Sequence, residues 1–282
     1  IDAALWRYLG NDGAELSWAE AATLAVLQNA PSLIHLDKNR DALLAKRNRL
    51  LTRLYEKGEL SSDDYELAIE EPLIGEPYPM PQYAPHLVEH YHKTEHRKLT
   101  TTAIDLSLQQ RVEELATRWS KELRGQNIRD IAVVISEVES GDVIAYCGNS
   151  DMSFEREGKW VDIARSPRSS GSILKPLLYA AALQEGVILP NSLLSDVPTD
   201  FGGFVPKNFD GTYAGAIAAD EALALSLNIP NVHLLKEYGV ARFAESLQQM
   251  GFSSLTRPAD EYGLSLVLGG AEVRLVDVVS CY

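Results

Sequence analysis

The chain has 282 residues, 45% of them hydrophobic, enough to bury one large or two ordinary cores. Its formal net charge of −14 at pH 7 argues against nucleic acid as a partner, because nothing offsets phosphate repulsion. No run of about 18 apolar residues occurs, so these residues contain no transmembrane helix. The two cysteines, Cys147 and Cys281, leave a disulfide and two free thiols equally open. No signal peptide and no initiating Met are present.

Residues 1–74 read as helical. A first helix covers Ile1–Leu9. Ser17-Trp18-Ala19-Glu20 is a capping box ahead of the apolar run Ala21–Leu27. Asn29-Ala30-Pro31-Ser32 breaks that helix. Another runs from about Arg40 to Lys57 and stops at Gly58, and Ser61 and Ser62 offer caps for a third, Asp63–Glu70. Residues 75–98 read as a linker in which Pro77, Pro79, Pro81 and Pro85, preceded by Pro72, prevent regular structure. His86, His90, His92 and His96 lie there beside Glu89 and Glu95. His at i and i+4 is a metal-pair spacing, but no apolar frame fixes these ligands, so no metal site is expected.

Residues 99–282 read as a second domain. Leu99–Asp105 is predicted as a strand. Leu106–Leu123 is an amphipathic helix with Leu108, Val112, Leu115, Ala116, Trp119 and Leu123 on one face. Ile131–Val138 and Val143–Cys147 flank Glu139-Ser140-Gly141-Asp142, a hairpin signal. An apolar helix, Ile173–Glu185, a Gly/Pro/Asp-rich excursion from Pro190 to Gly215 and further helices follow. Strands followed by a block of helices indicate an α+β domain, helices packed on a sheet.

Two short motifs carry chemistry. In Ser172-Ile173-Leu174-Lys175, positions i and i+3 share a helical face, so Lys175 is placed to reach the Ser172 hydroxyl. A serine needs a base to act as a nucleophile. The helix N-terminus favours negative charge developing there. The plainer reading is a capping Ser with a surface Lys one turn along. Ser226-Leu227-Asn228 follows, between the helical run Asp220–Leu225 and Pro230. Because Pro230 biases Ile229 out of the helical region, Ser226 and Asn228 are expected in a break between helices. A helix stop at Asn228 is the alternative.

The two motifs, in this order, resemble the first two active-site motifs of penicillin-binding proteins and serine β-lactamases. The run from Ala164 to Tyr179 resembles the nucleophile segment of class A, bifunctional penicillin-binding proteins. Asp196-Val197-Pro198-Thr199, Asn208-Phe209-Asp210-Gly211 and the run Gly263 to Val273 are similar to the 1C type. The resemblance implies an α+β penicillin-binding transpeptidase fold over 99–282. It implies that 1–74 are the C-terminal part of a lysozyme-like glycosyltransferase domain, in which Lys46, Arg47 and Arg49 contact a lipid-linked pyrophosphate. Solvated basic residues are the competing reading. It further implies a Ser172 nucleophile, a Lys175 base, a Ser226 proton relay, an Asn228 that holds Lys175 or the substrate amide, and the Ser172 N–H as one oxyanion donor. Peptidoglycan stem peptides would be substrates and β-lactams covalent inhibitors, with no cofactor. The place of action would be the periplasmic face of a bacterial inner membrane, reached through an N-terminal anchor outside these residues.

Both ends read as cuts through a longer protein. Ile1 opens inside a helical pattern and Tyr282 stops inside an apolar one. The family's catalytic Glu motif for glycosyl transfer is expected upstream. Its Lys-Thr/Ser-Gly strand, source of a second oxyanion donor, is not found in these residues. The 282 residues alone are thus expected to lack glycosyltransferase activity and to label weakly with penicillin. A β-lactamase or carboxypeptidase, in which water resolves the acyl-enzyme, and a non-catalytic cell-wall scaffold are the rival readings.

Overall fold

Capping chemistry sets the first helices. A computed structural model describes residues 2–10, 16–27, 39–95 and 99–282. The chain divides into two units, Ile1–Gln82 and Tyr83–Tyr282. The first holds α1 (Asp2–Leu9), α2 (Trp18–Leu27), α3 (Arg40–Glu56) and α4 (Ser62–Glu70). At the start of α2 the Glu20 N–H donates to Ser17 Oγ and the Ser17 N–H to Glu20 Oε2, both at 3.0 Å. Two helix donors without intrahelical partners are thereby satisfied. Ser61 Oγ caps α4 by accepting from the Asp64 N–H at 3.1 Å. These helices bury Ala19, Ala22, Leu51, Leu60 and Ala68 together. The predicted break at Asn29-Ala30-Pro31-Ser32 lies outside the described residues.

The second unit begins with a correction. Residues 85–94, read as linker, form α5 (Pro85–Thr94). Pro85 occupies the first helical turn, where its missing N–H costs nothing. The Ala84 N–H is tied to Glu113 Oε1 at 2.8 Å, and Leu87 packs with Tyr146 and Ala164. Leu99–Asp105 is not a strand; among the described residues its backbone bonds the hairpin once, from the Asp105 N–H to the Ile144 carbonyl at 3.0 Å, and Ile104 packs in the cluster that holds Tyr146. α6 (Leu106–Leu123) is capped by Asp105, whose Oδ1 accepts from the Leu108 N–H. Its buried face is Gln109, Val112, Ala116 and Ser120, while Leu115 and Trp119 are exposed. Pattern alone overlooked Gln109, which mimics a neighbouring strand: it donates to the Tyr146 carbonyl at 2.8 Å and accepts from the Tyr146 N–H at 2.7 Å.

The hairpin is present as β1 (Val133–Ser136) and β2 (Val143–Cys147), antiparallel, with Val134 opposite Tyr146. Then come β3 (Arg168–Ser169), α7 (Lys175–Gln184), β4 (Leu193–Asp196), β5 (Gly215–Ala218), α8 (Ala219–Ala224), α9 (Asn228–Tyr238), α10 (Val240–Gln249), α11 (Ala259–Tyr262), β6 (Glu272–Val273) and α12 (Leu275–Cys281). The fold is α+β. Where one sheet was expected, the described strands form three antiparallel pairs, β1–β2, β3–β6 and β4–β5. The main core gathers Leu174 and Leu178, Val232 and Leu235 of α9, Phe243 and Leu247 of α10, and Leu266. It anchors α7 and α9, the helices that begin at Lys175 and Asn228. Cys147 and Cys281 are both free thiols.

Candidate active site

The turn that carries Ser172 is pinned from both sides. β3 pairs with β6, placing Arg168 opposite Val273 and Ser169 opposite Glu272, and the Ser170 N–H donates to the Ala271 carbonyl at 3.0 Å. Gly269 must be glycine. Its φ is +99°, and a Cβ there would stand 2.7 Å from Ser169 Oγ and 3.0 Å from the Gly171 nitrogen. Gly171 (φ +53°) turns the chain into the helix. The helix expected from Ile173 starts instead at Lys175, and Ser172 lies in the preceding turn, exposed to solvent. The Ser172 N–H has no acceptor among the described residues, which leaves it available to an incoming oxygen.

Lys175 is 1% exposed. Its ammonium has three donors, and three acceptors meet it: the Ser226 carbonyl at 2.7 Å, Ser226 Oγ at 3.2 Å and Asn228 Oδ1 at 2.8 Å. All three are neutral, and no carboxylate lies within 4 Å among the described residues. Burial without a counter-ion disfavours the charged form and brings the Lys175 pKa down to about 8.

Ser226 adopts φ +52°, the left-handed region that a residue with a Cβ ordinarily avoids. That backbone turn presents carbonyl and hydroxyl together to Lys175. The break runs from Leu225 to Leu227 and holds Ser226, while Asn228, expected within it, is the first residue of α9; Pro230 sits inside the first helical turn, where a proline is tolerated. Asn228 Nδ2 donates to the Lys207 carbonyl at 2.8 Å. The structure thus joins Lys175, Ser226 and Asn228 in one hydrogen-bonded cluster. It does not form the predicted Ser172–Lys175 bond, because the lysine's donors are spent on the Ser226–Asn228 segment.

Two residues stand behind Asn228 whose segments the sequence marked only by their likeness to the 1C type, with no role for either residue. Asn208 and Asp196 are both buried. Asn208 Oδ1 accepts from the N–H groups of Asn228 and Ile229, and its Nδ2 donates to Asp196 Oδ1. Asn208-Phe209-Asp210-Gly211 lies in the Gly/Pro/Asp-rich excursion, and no local pattern ties an asparagine there to a helix start twenty residues on.

Of the basic trio in α3, Arg49 is exposed and Lys46 half-buried. Arg47 is a correction. It is 0% exposed, and its guanidinium donates to the Glu71 carbonyl at 2.7 Å, the Ile69 carbonyl at 3.3 Å and Asn48 Oδ1 at 3.0 Å. It therefore ties down the C-terminal end of α4. In α5, His86 is buried and its Nε2 lies 2.9 Å from the Lys159 carbonyl, while His96 is outside the described residues. Among the described residues no group of three or more His, Cys, Asp or Glu side chains is placed to hold a metal, and no helix is long and apolar enough to cross a membrane.

Comparison with known proteins places this arrangement. The family model described as "Penicillin binding protein transpeptidase domain" matches residues 131–270, which contain both motifs. The chain is 40% identical to penicillin-binding protein 1C of Escherichia coli (strain K12), over all of this chain and 36% of the relative. It is 28% identical to penicillin-binding protein 1F of Bacillus subtilis (strain 168), over 96% of this chain and 39% of the relative. The chain thus spans under half the length of these curated relatives. Among solved structures, penicillin-binding protein 1A from Haemophilus influenzae shares the fold, with a TM-score of 0.58 at 20% identity, over 98% of this chain and 57% of that one. The matched segment and the clustered motifs identify residues 131–270 as a penicillin-binding protein transpeptidase domain, in a chain that is similar along its whole length to a class A penicillin-binding protein of the 1C type.

Proposed function

We propose that this chain carries the acyl-enzyme chemistry of a peptidoglycan D,D-transpeptidase, within a bifunctional glycosyltransferase/transpeptidase of cell-wall synthesis. Ser172 Oγ attacks the carbonyl of the D-Ala-D-Ala amide. Its proton passes to neutral Lys175, and the oxyanion forms against the Ser172 N–H. As the C–N bond breaks, the proton moves through Ser226 Oγ to the leaving D-alanine amine. An acceptor amine from a neighbouring stem then attacks the ester, releases Ser172 and makes the crosslink. A β-lactam enters by the same first step and stays as the acyl-enzyme. Substrate and enzyme meet at the periplasmic face of the bacterial inner membrane. In the first unit, Arg49 and Lys46 serve the pyrophosphate of the lipid-linked glycan, without Arg47.

The observation that carries this reading is Lys175. It is a buried amine without a counter-ion, three residues from an exposed serine, at the start of a core helix. The test is labelling of the complete gene product with a fluorescent penicillin, beside the Ser172→Ala variant. Loss of the label in the variant is expected. Persistence refutes the nucleophile assignment, and absence of label from the unaltered protein favours a scaffold. Mass spectrometry of products from a stem-peptide pair then separates crosslinking from the hydrolysis expected of a β-lactamase or carboxypeptidase.

A further inference from the structure

We infer that Asn208, backed by Asp196, is a positioning residue that sets Asn228 in the orientation Lys175 requires; this rests on the function proposed above. All four hydrogen-bonding valences of Asn208 are filled. Oδ1 accepts from the Asn228 N–H at 2.9 Å and the Ile229 N–H at 3.3 Å, and Nδ2 donates to Asp196 Oδ1 at 2.7 Å and the Thr212 carbonyl at 2.9 Å. Asp196 is held in turn, its Oδ2 accepting from the Ala214 N–H at 2.8 Å. Asp196 ends β4, opposite Gly215 of β5, so the frame is a paired hairpin rather than a free loop.

The grip is double. Asn208 holds the backbone of Asn228, and its neighbour Lys207 holds the side chain through Nδ2. A carbonyl accepts only from the amide nitrogen and an ammonium donates only to the amide oxygen. Lys207 and Lys175 together therefore dictate which way the Asn228 amide faces. Asp196 exerts the same control one step back. Its carboxylate accepts from Asn208 Nδ2 and thereby points Asn208 Oδ1 at α9. An amide at position 196 could instead present its nitrogen there and turn Asn208 the wrong way. The order Asp196, Asn208, Asn228, Lys175 is a directed chain in which each member has one compatible orientation.

The test measures the acylation rate constant of the full gene product by fluorescent penicillin, across pH. Asn208→Ala should lower it by about tenfold or more and move the acid limb to lower pH, since a loosened Asn228 no longer supports the ammonium form of Lys175. Asn208→Asp alone faces Asp196 with a second carboxylate and should also be slow. The exchange variant, Asp196→Asn with Asn208→Asp, restores one donor and one acceptor between the two positions, without the bond to the Thr212 carbonyl, and should be clearly faster than Asn208→Asp. A purely structural cap moves stability without moving the pH limb. An unmoved limb in Asn208→Ala, or an exchange variant no faster than Asn208→Asp, overturns the positioning role. Should Asn208→Ala not fold, Asn208→Asp, which keeps both capping acceptors, and the exchange variant decide by the same comparison. Labelling that survives Ser172→Ala overturns the function beneath it, and the positioning role with it.

Discussion

Burial of Lys175 makes a quantitative demand on how acylation depends on pH. With a pKa of about 8, roughly one lysine in ten is neutral at pH 7, against roughly three in ten thousand at the ordinary value of 10.5. Desolvation thus enlarges the reactive fraction by a few hundredfold. Only the neutral amine accepts the Ser172 proton. Acid therefore suppresses acylation and rising pH restores it, with about a tenfold gain between pH 7 and 9 and a plateau beyond. Arginine at this position stays protonated throughout, so Lys175→Arg should lose about 10²–10⁴ in rate at every pH. The assay is stopped-flow or gel-based acylation of the complete gene product by a fluorescent penicillin between pH 6 and 9.5. A flat profile, a rate that falls as pH rises, or full activity in Lys175→Arg would show that Lys175 is not the base.

Two stability measurements probe the scaffold. Left-handed backbone at Ser226 costs a residue with a Cβ about 1 kcal/mol or more, which glycine escapes. Ser226→Gly should therefore be more stable than Ser226→Ala by about 1 kcal/mol in denaturant titrations, while both acylate slowly; equal stability would remove the strain argument. Arg47→Ala withdraws the donor from two carbonyls at the end of α4 and should cost about 3 kcal/mol, whereas exposed Arg49→Ala should change stability by less than about 0.5 kcal/mol. A neutral Arg47→Ala would return that residue to a ligand-binding role.

What was legible in the sequence follows the range of the interactions. The capping box at Ser17, the helix Leu106–Leu123 and the hairpin around Gly141 arise from contacts a few residues apart, and the pattern gives them directly. Lys175 with Ser226 and Asn228 was reachable through the resemblance of the two motifs to a known pair, which implies that they share one site. Longer-range features escaped. Proline content suggested an unstructured linker, yet tertiary packing of Leu87 with Tyr146 supports α5. Periodicity placed Leu115 and Trp119 inward, but Gln109, bonded to both backbone groups of Tyr146, sets the rotation of α6. Arg47 looked like a ligand contact because charge is visible in a sequence, whereas the carbonyls of Ile69 and Glu71 that claim it are not. Asn208 reaches a helix start twenty residues away, beyond any local pattern.

The central claim is that Ser172 becomes covalently acylated, and intact-protein mass spectrometry of the full gene product after exposure to benzylpenicillin tests it most directly. One added penicilloyl group, mapped by peptide analysis to Ser172 and missing from Ser172→Ala, is the predicted result. An adduct on another residue, or one that persists in the alanine variant, would contradict it.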